Sequence, residues 1–158
     1  MMTAIMLKSL LMIAMLLPAA SNDLTYWWRT TDGAVVGTHH SQQCSLVMFN
    51  VTQAVVITWD HSAGHSIRLE DNSWHFTDTP LPLVLRIGGT QLAGTATGSD
   101  TFIAMPLAAP IETILAHTDA IDASYIDDSG VHRFGFTVDR TKMPALLKAV
   151  ERCRRQAP

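Results

Sequence analysis

Apolar positions along this chain recur with a period of two far more often than with the helical period. Across residues 66–70, Ile67 and Leu69 take one face and Ser66, Arg68 and Glu70 the other, the pattern of an antiparallel strand with one solvated side. Leu83, Leu85 and Ile87 alternate in the same way against Val84 and Arg86, and Phe134, Phe136 and Val138 share one face of 132–138. Residues 45–51 and 54–59 are near-continuous runs of branched, aromatic and other apolar residues, which also read as strands. Shorter extended stretches are predicted around Trp27-Trp28 and at 34–36, 74–76, 90–97, 101–105 and 123–126, with the remainder of 30–43 read as loop. Turn chemistry separates them: Asp60 to His65, Asp71-Asn72-Ser73, Gly98-Ser99-Asp100 and Asp127 to Gly130, while Gly88-Gly89 permits a primed hairpin turn. Pro80 and Pro82 are expected to delay the strand that follows them.

The helical period shows in two places. Pro110 suits a first helical turn, and Ile111, Ile114 and Leu115 form a narrow stripe that polar Thr118 does not continue, so this helix should be short. Met143, Leu146, Leu147, Val150 and Cys153 form one buried face of a longer final helix. Asp139 or Thr141 can cap its start, and Lys148, Arg152, Arg154 and Arg155 oppose the negative end of its dipole. The fold class expected is therefore α+β: one antiparallel, β-rich domain, sheet or sandwich, with one short helix and one C-terminal amphipathic helix.

The N-terminus breaks this pattern. Lys8 precedes an unbroken apolar run from Leu10 to Leu17, followed by Pro18, Ala19, Ala20 and Ser21, the charged–apolar–small order of a secretory signal peptide. Residues 1–21 are read as that signal and 22–158 as a single globular domain. Eight apolar residues fall far short of the roughly 20 that span a bilayer, so no membrane span is expected in the mature chain. The expected location is periplasmic or secreted. In an oxidising compartment Cys44 and Cys153, the only two cysteines, are expected to pair and to close a loop of about 110 residues.

Composition narrows the function without naming it. With 158 residues, 47% apolar and 16% charged, and a net charge of −3, the chain has the make-up of one globular domain and no electrostatic case for nucleic acid. Seven histidines are a modest excess, and Asp60, His61 and His65 are the candidate site residues: a carboxylate beside two rings that could hold a metal or orient a proton transfer. The intervening Ser62-Ala63-Gly64 argues against a helix, so the four-residue spacing does not by itself place both rings on one face. No zinc-protease or hydrolase-elbow motif is present, and Gly88-Gly89 is not followed by a helix that could cradle phosphate. No catalytic residue, metal ligand or cofactor is assigned. Trp27 and Trp28 must point to opposite faces of a strand, and Asn50-Val51-Thr52 matches a glycosylation acceptor, which carries meaning only in a eukaryote.

The segment from Arg133 to Cys153, a strand, a polar turn and a helix with a late cysteine, resembles the end of small exported proteobacterial envelope proteins of the invasion-associated locus B type. The early tryptophans followed by Cys44 fit the same pattern. The resemblance implies a β-rich envelope protein whose closing strand feeds a short amphipathic helix, and it transfers no site residue. The function expected is non-catalytic binding of a protein or envelope component, such as an immunity protein or inhibitor of an envelope-targeting enzyme. The alternative is a small histidine-dependent metal-binding protein or hydrolase built on His61 and His65.

Overall fold

In a computed structural model describing residues 24–31, 33–39 and 43–156, with side chains at 33–38 and 43–156, period-two segments become ten strands of one antiparallel sheet. The expected signal peptide, the Trp27 and Trp28 side chains and residues 40–42 of the expected loop lie outside these residues. In chain order the elements are β1 Leu24–Thr31, β2 Ala34–His39, β3 Gln43–Phe49, β4 Gln53–Asp60, β5 Gly64–Asp71, β6 Phe76–Ile87, β7 Thr90–Asp100, β8 Phe102–Leu107, α1 Glu112–Leu115, β9 Ala120–Asp127, β10 Gly130–Thr137 and α2 Met143–Gln156. The strand expected at 34–36 is the first half of β2, and the flanking stretches read as loop hold the end of β1 and the rest of β2. Their polar composition hid these parts because β2 pairs on both sides, so backbone bonding offsets weak propensity.

In space the strands run β1-β2-β3-β4-β5-β8-β7-β6-β9-β10. The first five form a meander. The chain then skips two places to β6, fills the gap with β7 and β8, and returns through α1 to β9. β10 lies against β4 without pairing to it, so the sheet curls onto itself around a core. The inner face carries that core: Val36, Leu46, Ile57, Ile67, Leu83, Leu85, Ile103, Ile121 and Phe136 are all buried. β3 and β4 read as continuous apolar runs because Val47, Ala54 and Val56, on their outer face, are buried too.

Two sequence features acquire reasons. Pro80 and Pro82 do not delay β6, which already begins at Phe76; they occupy the part of it that pairs with β7 alone, before β9 joins at Leu83. A missing N–H is tolerated there because one edge is free. The small residues of β7 make room for larger neighbours. A Cβ at Gly94 would come within 2.8 Å of Met105 Sδ, and one at Gly98 within 2.8 Å of the Phe76 ring. Phe76 thereby joins Trp74, Tyr125 and Phe134 in an aromatic cluster with centroids 5.2–5.4 Å apart.

The final helix fills the trough. Met143, Leu146, Ala149, Val150 and Cys153 are its buried face, and it packs on β1, β2 and β3. α1 is one turn long, ending where Thr118, fully buried, donates its hydroxyl to the Ala120 carbonyl at 2.7 Å. Cys44 and Cys153 form the expected disulfide, with Cα atoms 6.0 Å apart across 109 residues. Reduction, or replacement of Cys44 by serine, should cost about 2–5 kcal/mol. Loss of the helix signal before the sheet signal on heating the reduced protein, followed by circular dichroism, is the expected outcome; coincident loss of both, with an unchanged melting temperature, is the contrary one.

Candidate functional site

Cys44, Trp59, His65 and Leu107 lie side by side on the inner face of β3, β4, β5 and β8, near one end of the trough. The β4–β5 turn forms the rim of this end, and the last turn of α2 faces it. Together they border an open depression of about 530 Å³, with Trp59, His61 and His65 on the sheet side and Glu151, Arg154 and Arg155 on the helix. The three residues singled out by sequence, Asp60, His61 and His65, therefore do line one depression. Period two separates them, however: His65 lies on the inner face of β5, His61 is exposed in the turn, and Asp60 shares the outer face with Gln43.

Asp60 is fully occupied. Its Oδ1 accepts the Ser62 and Ala63 backbone N–H groups and the Ser62 hydroxyl, all at 2.8 Å, and its Oδ2 accepts Gln43 Nε2 at 2.5 Å. The Ala63 amide and then Gln43 hold this carboxyl well below the usual carboxylate range. It locks a hairpin turn completed by Gly64 at φ +83°, and its four donors come from Ser62, Ala63 and Gln43. Among the described residues, no three His, Cys, Asp or Glu side chains come together in a way that could hold a metal ion.

The same device recurs along the chain. In Asp71-Asn72-Ser73, Asp127-Asp128-Ser129 and Asp139-Arg140-Thr141, the aspartate Oδ1 accepts both the backbone N–H and the hydroxyl of the residue two places on, at 2.6–3.0 Å. Asn50 does this within the glycosylation-like triplet, accepting the Thr52 N–H at 3.0 Å. At Asp127 the cluster extends to His132, five residues on and brought back by the turn. His132 Nε2 lies 2.8 Å from both Asp127 Oδ1 and Ser129 Oγ, and its ring stacks on Tyr125 at 4.9 Å. A serine–histidine–aspartate relay needs the two ring nitrogens to face different partners. Here one nitrogen faces both, so the trio secures a turn. The Ser129 hydroxyl, then His132, lower Asp127 to about 2.

The outer face holds two further features. Glu70, expected to face outward, does so but is only 1% exposed, with Ala54 and Phe102 as its cross-strand neighbours. Arg68 Nε reaches Glu70 Oε1 at 2.5 Å, and its guanidinium carbon sits 3.8 Å above the centre of the Phe102 ring. Burial still outweighs this partner and pushes the Glu70 carboxyl up to about 7. The second feature is on β6, β9 and β10. There Ile126 and Val131 face each other across the β9–β10 ladder, 51% and 68% exposed, beside a depression of about 560 Å³ lined by Val84, Arg86, Asp122, Ser124 and Arg133. β10 pairs with β9 alone, leaving its other edge free among the described residues. No known protein family, no curated protein and no solved structure significantly matches this chain.

Folding raises the Glu70 pKa above its ordinary value of 4.5, so the stability tied to this group is complete below that pH and is lost as pH rises through about 7. Glu70→Gln removes the titration. The melting temperature of this variant relative to the parent should therefore increase from pH 4.5 to beyond pH 7, by the equivalent of about 2 kcal/mol after allowance for solvent screening. A pH-independent difference in thermal melts across that range would contradict the assignment.

Proposed function

We propose that this chain is an exported, non-catalytic binding protein that engages a protein partner through the outer face of β6, β9 and β10. The observation that carries the reading is the Ile126–Val131 pair beside the edge of β10 that has no paired strand among the described residues. Two branched apolar side chains more than half exposed, opposite each other on a sheet face, form a small contiguous apolar surface for a partner to cover. A free strand edge supplies backbone donors and acceptors for an added strand.

Charge narrows the partner. Arg86 and Arg133 line the depression next to the patch together with Asp122, the cross-strand neighbour of Arg86; Arg86 donates to the neutral Gln91 at 3.4 Å, and neither arginine has an ion pair among the described residues. An extended segment with acidic side chains suits both the edge and these two guanidinium groups. Export is supported by the charged–apolar–small order of the first 21 residues and by a disulfide, which persists in oxidising compartments. None of the described helices is long and apolar enough to cross a membrane. An enzyme acting on the envelope is a partner class suited to a binding domain of this size and compartment.

A photo-crosslinking residue placed at Val131 in cells should give one discrete adduct outside the cytoplasm, with the chain trimmed to begin between Ala20 and Leu24 by intact mass. The same residue at Thr95, exposed on the outer face of β7, should give none, and Arg133→Glu should weaken the Val131 adduct. Equal adducts at both positions, or a chain retaining Met1 to Leu17, would refute the reading.

A further inference from the structure

We propose that the outer face of β2, β3 and β4 is the seat of this chain's own N-terminal apolar run, Leu10–Leu17, in the untrimmed protein, so that removal of residues 1–21 uncovers an apolar surface. Val35, Val47 and Val56 lie side by side across these strands and point away from the core that Val36, Leu46 and Ile57 fill. Outward positions on an antiparallel sheet are commonly solvated. Here the three valines are only 4%, 5% and 9% exposed, and Ala54 and Glu70 in the next outward row are buried as well. The outer face of the other half of the sheet behaves differently: Pro82, Arg86, Thr95, Thr97 and Arg133 are all exposed.

The described elements supply no cover for the three valines. All the described strands belong to the one sheet, α2 seats Leu146 and Val150 in the inner core, and α1 is tied to α2 through the Arg154–Glu112 pair. Outside the described residues, Asp32, His40-Ser41-Gln42 and Ala157-Pro158 are short pieces, whereas residues 1–23 contain eight consecutive apolar side chains. Apolar side chains of that kind leave water for an apolar sheet face. Reach is sufficient. Leu24 begins β1, next to β2, and Thr30 of β1 is opposite Val35. By the usual strand rise and spacing Val56, three strands across, lies about 25 Å from Leu24. The stretch from Leu17 to Leu24 extends to about 23–25 Å, and the run continues beyond it. The proposal concerns the chain before trimming and is independent of the β6, β9 and β10 surface; only the uncovering rests on the export reading.

The test compares the purified, disulfide-bonded full chain with a chain beginning at Asn22. A photo-crosslinking residue is placed at Val47 of the full chain and, in a second variant, at half-buried Thr58 on the same face. Both should give an adduct within one molecule that peptide mass mapping assigns to residues 10–17, and the same residue at Thr95, on the outer face of β7, should give none. Fluorescence of anilinonaphthalene sulfonate, which reports exposed apolar surface, should rise severalfold from the full chain to the trimmed one. Ile13→Asp in the full chain, a change outside the described fold, should raise it in the same way while the sheet signal in circular dichroism is unchanged. The full-chain adducts decide the matter even where the trimmed chain loses its sheet signal. Adducts to a second copy, to any other segment or to none, or an Ile13→Asp chain that binds the dye no better than the parent, would overturn the proposal.

Discussion

The packing of α2 into the curled sheet, fixed by the Cys44–Cys153 disulfide, is the constraint on which the rest depends. A 14-residue helix is marginal alone in water, and this one is stabilised by burying Met143, Leu146, Ala149 and Val150 against β1, β2 and β3. Those contacts join the last element of the chain to the first three. They close a long loop and carry a large entropic cost, which the disulfide lowers by restricting the unfolded chain. The same linkage positions Arg154 and Arg155 opposite Trp59, so the depression exists only while the helix is seated.

Charge in this protein is largely structural. Four aspartates each close a turn through a serine or threonine two places on, and their lowered pKa values follow from those hydrogen bonds rather than from a reactive environment. Perturbed carboxylates are often read as candidate catalytic groups, but the geometry here assigns them to hairpin ends. Glu70 is the opposite case. It is buried on the nominally solvated face, where the Arg68 partner does not fully compensate its desolvation.

Set apart from these structural charges are two places where side chains lack internal partners. The outer surface of β6, β9 and β10 combines exposed Ile126 and Val131 with Arg133, next to a free strand edge. The depression at the end of α2 combines unpartnered buried nitrogens with arginines. They belong to different faces of the sheet, and the arginines of the second are paired with Glu112 and Glu151.

By itself the sequence determined most of the secondary structure, the class and the staple. Alternation at Ile67–Leu69, Leu83–Ile87 and Phe134–Val138 is a local signal fixed by which face meets the core, and the spacing from Met143 to Cys153 is equally local. With two cysteines the pairing had one intramolecular solution. Where stability came from neighbours, the pattern was silent or misleading. Only the first half of β2 reads as strand, because its polar second half is held by paired strands on both sides, and Pro80 and Pro82 sit inside β6 where it pairs on one side alone among the described residues. The grouping of Asp60, His61 and His65 was legible, but not their faces, nor that Asp60 is saturated by its own turn. Only the tertiary structure brought Arg154 and Arg155 to Trp59, buried Glu70, and left Ile126 and Val131 outside. Each of these depends on residues far apart in sequence meeting across a curled sheet, and local periodicity carries no information about that curvature.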